Sequence, residues 1–282
     1  MSPARQAVRI CVAIAALFVA QAFASDGLPR PAEDYFGEFA YCALILSRNR
    51  HREALITVGP TQCRLPLSPC STFKIPNALI GLQTGVVTGP DDLKRWDGTT
   101  HRREAQNRNH TLQSAISASI PWYFQSLARD VGEERMAAWL KRLDYGNQDI
   151  SAGIDRFWLG SSLKINANQQ MELIKNLWHR RLPFDPAHQQ ALAKMLVLDS
   201  SLDGVLHGKT GSCRGTQHAA TPDNGWFIGW VDWNSPAAGE PDTSFFVINT
   251  TGPNAWGSQA KRITLEILQD MQQGAKPTHL TE

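Results

Sequence analysis

Strand-like runs gather at the two ends of this chain, with helix-patterned segments between them, and this arrangement restricts the fold more than any other feature. Residues 42–47 and 53–58 are apolar runs on either side of Arg48-Asn49-Arg50-His51-Arg52, which predicts a β-hairpin with a solvated basic turn. Near the other end, 204–211, 226–233 and 243–250 read as strands separated by Gly/Pro/Asn-rich turns. Helical periodicity covers 111–119, 121–129 and 133–143, broken at Pro121 and stopped at Tyr145-Gly146-Asn147. It resumes over 168–180, where Met171, Ile174, Leu177 and Trp178 form a core-facing stripe, and again over 186–198 and 258–272. The stretch between the segment around Ser71 and residue 110 is polar and loop-rich, with turns at Thr88-Gly89-Pro90 and Asp97-Gly98. The expected class is α+β: a mainly antiparallel sheet built from both termini, flanked by helices and carrying a helical subdomain. No internal repeat, low-complexity block or linker interrupts it.

Residues 1–24 read as a secretory signal, with Arg5 and Arg9 as the charged start, 10–20 as a short apolar core and Ala22-Phe23-Ala24 as the cleavage site. The apolar run is shorter than a spanning helix needs. The expected mature chain is therefore one domain, 25–282, of two interlocked subdomains, periplasmic and without a membrane partner once the signal is gone. Arg5 and Arg9 account for the excess of 28 Lys+Arg over 26 Asp+Glu, and the balance that remains argues against nucleic acid or an anionic membrane as partner.

Of five cysteines, Cys11 leaves with the signal; Cys42, Cys63, Cys70 and Cys213 permit three disulfide pairings in an oxidising compartment. No metal site is expected, because neither Cys-x-x-Cys nor His-Glu-x-x-His spacing occurs. His101, His110, His179, His188 and His218 lie in polar sequence and are expected to be solvated.

Chemistry enters at Ser71-Thr72-Phe73-Lys74. A serine three residues before a lysine shares one face with it at the start of a helix, and Phe73, Ala78, Leu79 and Leu82 supply the periodicity of that helix. Ser71 would sit in the first turn, where unpaired N–H groups favour a developing negative charge, with Lys74 as its base. The spacing alone is weak, since Ser161/Lys164 and Ser258/Lys261 repeat it. Ser119-Ile120-Pro121 falls at a helix junction, and Lys209-Thr210-Gly211 closes a strand where glycine would let an extended ligand approach.

In this order the motifs resemble the class D serine β-lactamases, the oxacillinase family of penicillin-recognising enzymes. The likeness runs over nearly all of the mature chain, including Tyr145-Gly146-Asn147-Gln148-Asp149, residues 157–165 around Trp158, and Trp226-Phe227-Ile228-Gly229-Trp230. It implies a β-lactamase/transpeptidase fold and hydrolysis of β-lactam antibiotics. Ser71 would be the acylated nucleophile and Lys74, carboxylated by carbon dioxide on its side-chain nitrogen, the base, with no other cofactor. Trp158 would hydrogen-bond the carbamate, and Ser119 and Lys209 would relay a proton to the leaving nitrogen. Thr210 and Lys209 would meet the substrate carboxylate, Gly211 would line the strand, and the N–H groups of Ser71 and Ser212 would hold the oxyanion. Related β-lactam receptors share the motifs but normally follow membrane segments, whereas only a cleavable signal is expected here; against a D-alanyl-D-alanine peptidase of the same fold, Trp158 with its flanking block points to the hydrolase.

The chain departs from the family at two points. Pro121 replaces the usual valine, which bears on deacylation. The place of an arginine that binds the substrate carboxylate falls on Ala260, leaving Arg262 and Arg214 as candidates. Convergence of the two oxyanion donors would bring their outer neighbours together, so a Cys70–Cys213 disulfide is expected, with Cys42–Cys63 clamping the amino-terminal hairpin.

Overall fold

The computed structural model describes residues 27–49, 52–215, 222–234 and 242–275. The signal at 1–24, the tip of the first hairpin turn, His218 and part of the polar segment after Arg214 lie outside the described residues. The elements, in chain order, are α1 (Ala32–Phe36), β1 (Ala40–Arg48), β2 (Glu53–Val58), α2 (Pro60–Cys63), a 3-10 turn (Cys70–Phe73), α3 (Lys74–Gln83), β3 (Leu93–Lys94), a second 3-10 turn (Glu104–Gln106) and β4 (His110–Thr111). There follow α4 (Leu112–Ser117), α5 (Pro121–Val131), α6 (Glu133–Arg142), α7 (Ala167–Trp178), α8 (Pro186–Met195), β5 (Val197–Leu198), β6 (Gly204–Cys213), β7 (Asn224–Trp233), β8 (Thr243–Thr251) and α9 (Gly257–Ala275).

Six strands form an antiparallel sheet in the order β2-β1-β8-β7-β6-β5. The amino-terminal hairpin thus joins the carboxy-terminal strands, β1 running against β8 from Ala40↔Thr251 to Arg48↔Thr243. The fold is the α+β arrangement expected, with both chain ends in one sheet. Every residue of β8 is buried, because helices cover both faces, and its centre, Phe245-Phe246-Val247-Ile248, is accordingly a continuous apolar run. On one face Ala260, Ile263, Ile267 and Leu268 of α9 pack on Ala43, Ile45, Phe227 and Ile248. On the other, Trp226, Ile228, Phe245 and Val247 meet the helical part through Phe73, Leu79, Phe124 and Trp158.

At the centre of the helical part, α3 is buried from Lys74 to Leu82 on all sides, as a helix without a polar face must be. Its neighbours start where their caps dictate. Thr111 accepts from the Ser114 N–H ahead of α4, and Asn166 from the Gln169 N–H ahead of α7. Pro121 and Pro186 take the first turns of α5 and α8.

Four expectations need correction. Ser71 lies in the 3-10 turn that precedes α3, not in the α-helix itself. The helix at 186 stops at Met195, and Val197–Leu198 pairs as a strand with Leu206 and His207. Lys209-Thr210-Gly211 is interior to β6, which continues to Cys213 along β7. His110 is 1% exposed, its ring placed between the Ser114 hydroxyl and the Ala105 carbonyl. Those two local partners satisfy a ring that would otherwise need water.

Candidate active site

The 3-10 turn sets the first geometry. With three residues per turn, positions i and i+3 eclipse, and Lys74 Nζ lies 2.7 Å from Ser71 Oγ. Ser71 is the second residue of that turn, where a backbone N–H has no acceptor within the helix. Lys74 is wholly buried, its nitrogen 5.5 Å from the centroid of the Phe124 ring. Burial first, then the charges of Lys209 and Arg103, hold its ammonium well below the ordinary lysine range. A neutral amine at this distance can take the serine proton.

Between α4 and α5, Ser119 adopts a left-handed φ of 53°. That conformation is uncommon for a residue other than glycine and aims the hydroxyl out of the chain's path. Ser119 Oγ receives a hydrogen bond from Lys209 Nζ at 2.9 Å, and the same nitrogen donates to Thr210 O at 3.0 Å. Lys209 is also buried; this, with the nearby charge of Arg103, lowers it to about 7.

Strand β6 brings the remaining groups. The Gly208 N–H donates to Leu196 O on the β5 side at 2.9 Å. Pairing with β7 is unbroken from Gly204↔Trp233 to Cys213↔Asn224. By the two-residue alternation of an antiparallel ladder, Thr210 and Ser212 turn their N–H groups the same way as Gly208. β5 pairs with only His207 and Leu206, so that side of β6 is open at Thr210 and Ser212. The opposite side chain of Ser212 is occupied, its Oγ accepting the Gly257 N–H at 2.8 Å.

Gly211 has a structural reason beside the one its sequence suggested. A Cβ there would lie 2.8 Å from Pro69 O and 3.2 Å from Thr72 N. The missing side chain lets strand and 3-10 turn touch. Beside this contact Cys70 and Cys213 form a disulfide with Cα atoms 5.6 Å apart, while Cys42 and Cys63 form another at 4.9 Å. Cys70, like Ser119, has a φ of 53°.

Trp158 is 1% exposed and stacks on Phe73, ring centroids 5.2 Å apart. Its backbone is tied to the nucleophile turn through Ser68, a residue the motif reading did not single out. Ser68 Oγ donates to Trp158 O at 2.9 Å and accepts the Gly160 N–H at 3.0 Å. Its carbonyl accepts Asn224 Nδ2 and Trp226 Nε1 from β7, at 2.8 and 2.9 Å. Nothing in local spacing marks such a residue, because all its partners are remote in sequence. Arg103 was missed for the same reason: its Nη2 donates to Ala118 O at 2.8 Å, next to Ser119.

The two basic candidates near the end of the chain are engaged elsewhere. Arg262 pairs with Glu266 at 3.0 Å, on a carboxylate shared with Arg30. The Arg214 guanidinium lies over the Trp256 ring, 5.6 Å from its centroid. Ala260 is a fully buried methyl in the α9 core.

A family model described as the penicillin binding protein transpeptidase domain matches residues 46–269. Among curated proteins, a probable β-lactamase, YbxI, of Bacillus subtilis is 44% identical over 201 residues, 71% of this chain and 70% of the relative. β-Lactamase OXA-48 of Klebsiella pneumoniae is 31% identical over 235 residues, 83% of this chain and 85% of the relative. Of solved structures, the class D β-lactamase BAT-2 superposes with a TM-score of 0.75 at 37% identity, covering 86% of this chain and 96% of that one. A class D β-lactamase from Bacillus subtilis gives 0.75 at 36% identity over 88% and 98%.

Proposed function

Since this chain belongs to the class D serine β-lactamases, we propose that it opens the β-lactam ring of penicillin-type antibiotics through an acyl-enzyme on Ser71. Hydrolysis of β-lactams confers resistance to them, and a cleaved signal at 1–24 would deliver the enzyme to the periplasm, where these drugs act.

The observation that carries the reading is the buried Lys74 amine at 2.7 Å from Ser71 Oγ. Ser71 Oγ attacks the lactam carbonyl carbon while its proton passes to the base at position 74. The oxyanion is met by the N–H groups of Ser71 and Ser212, the first an orphan of the 3-10 turn, the second on the open side of β6. The ring C–N bond breaks as its nitrogen takes a proton from the Ser119 hydroxyl, which Lys209 replenishes across their hydrogen bond. Thr210 and Lys209 receive the substrate carboxylate. The proton taken from Ser71 passes on from position 74 to Lys209, restoring both groups. Water then attacks the acyl carbonyl carbon and gives its proton to position 74, which hands it to Ser71 Oγ as the ester C–O bond breaks.

The family's carbamate on Lys74 fits these residues. Carbon dioxide adds only to a neutral amine, and burial favours that form here. Trp158 would hold the carbamate through its indole N–H. When present, this group supplies a carboxylate-type base for both half-reactions.

The deciding experiment mixes the pure protein with a chromogenic cephalosporin while following intact mass. Sustained turnover with transient acylation of Ser71 is expected. A stable one-to-one adduct without turnover would make the protein a β-lactam receptor instead.

A further inference from the structure

Arg103 stands immediately before the 3-10 turn Glu104–Gln106, and its side chain reaches Ala118, the residue before Ser119. That loop is fixed to the helices at three points. Trp122 Nε1 donates to Gln106 O at 2.8 Å, the buried His110 ring contacts Ala105 O at 2.7 Å, and Arg103 Nη2 donates to Ala118 O at 2.8 Å. The guanidinium is therefore held next to the residue whose hydroxyl receives Lys209.

It is also unspent. A guanidinium carries five N–H donors, and the bond to Ala118 is the only one that of Arg103 makes among the described residues. Arg30, Arg48, Arg129, Arg156 and Arg262 each face a carboxylate; Arg103 faces none. Its charge reaches both site lysines and helps to depress them, whereas that of Arg214 is not among the causes for either. Lys209 and Arg103 converge on the Ser119 end of the site with no acid between them among the described residues. Such a pair attracts an anion, and a guanidinium with free parallel N–H groups suits a carboxylate.

Building on the site reading above, we propose that Arg103 is the specificity-determining cation that takes the ring carboxylate of the substrate at the Ser119–Lys209 end of the site. Ala260 presents only a buried methyl, and Arg262 is committed to Glu266. Arg103 approaches instead from the loop ahead of β4, held at Ala118 beside Ser119. The Ala118 tether orients the guanidinium and leaves its other nitrogens for the ligand.

The test compares wild type, Arg103→Ala and Arg103→Lys with benzylpenicillin and with its methyl ester, in which the carboxylate charge is removed. For Arg103→Ala, KM for benzylpenicillin should rise about tenfold with kcat nearly unchanged. The ester should show no such rise, and Arg103→Lys should recover part of the loss. The dependence of kcat/KM on ionic strength should also be shallower in Arg103→Ala. An unchanged KM for benzylpenicillin overturns the proposal, as does an equal rise for the ester or a fall in kcat and melting temperature with both substrates, which would mark Arg103 as a loop tether. If wild type turns over no benzylpenicillin, the site reading fails and this inference with it; a failure confined to Arg103→Ala leaves the site reading standing.

Discussion

The Ser68 hydroxyl donates to the Trp158 carbonyl at 2.9 Å, joining residues 90 apart in sequence. Through that bond, and through its own carbonyl's bonds to Asn224 and Trp226, one small side chain connects the approach to the nucleophile, the tryptophan loop and the centre of the sheet. Ser68 is 4% exposed, so water cannot replace what it provides.

Ser68→Ala should therefore destabilise the protein by about 2 kcal/mol, the cost of leaving a buried carbonyl and the Gly160 N–H unpaired. Urea denaturation measures it. A change within about 0.5 kcal/mol, as at ordinary surface positions, would show that the loop re-forms its bonds without the hydroxyl.

Lys74→Ala should lower kcat/KM by about 10³-fold or more, since no other base adjoins Ser71 Oγ among the described residues. In the wild type, acid protonates the amine and blocks carbamate formation. Activity is expected to fall as pH drops through the depressed lysine value and to recover with added bicarbonate. Stopped-flow assays with and without bicarbonate check both, and near-wild-type turnover by Lys74→Ala would assign the base elsewhere.

Trp158→Ala should slow deacylation more than acylation, because loss of the indole donor lets water reach a buried anion. A burst equal to the enzyme concentration, followed by slow turnover, is the expected trace. An equal fall in both phases would remove Trp158 from the base's support.

Separating Cys70 from Cys213 should cost more stability than separating Cys42 from Cys63. The sequence separations are 143 and 21 residues, which correspond to about 5 and 3 kcal/mol in the chain-entropy model. Because Cys70 and Cys213 adjoin Ser71 and Ser212, the Cys70→Ala/Cys213→Ala pair should also slow acylation. Denaturation midpoints and burst rates of the two double variants, compared directly, decide; an acylation rate equal to wild type would reduce the bridge to a staple of the fold.

Lys209 makes stability depend on pH. Its folded value is about 7 against an ordinary 10.5. Below 7 both states carry the proton, and the folded state bears the full cost of a buried cation. Between 7 and 10.5 the unfolded chain binds the extra proton, so stability rises with pH across that window and levels off above it. Lys209→Met should flatten this rise, and an unaltered slope in urea titrations from pH 6 to 10 would contradict it.

Most of the fold is legible because its boundaries have local causes. Pro121, Pro186 and the Asn166–Gln169 capping pair start helices within a residue or two of where the pattern places them. The 3-10 turn at Ser71 is not legible, because i to i+3 spacing satisfies either helix type and the choice is made by packing against β6. His110 reads as a polar surface residue until Ser114 and Ala105 enclose it. In the site, the residues that react lie in short motifs. Those that hold them, Ser68 and Asn224, act across tens of residues and leave no local pattern.

The brevity of β5 has a consequence of its own. Two paired residues are enough to finish one end of the sheet, and beyond them β6 is left as a bare template with two backbone donors, at Thr210 and Ser212. Natural sheets blunt such borders because a neighbouring molecule can add a strand there. Here the border lies beside Ser71, and the disulfide between Cys70 and Cys213 holds the 3-10 turn against it. An acyl chain laid along Thr210 and Ser212 would continue the line of β5, so substrate binding would complete the sheet by strand addition.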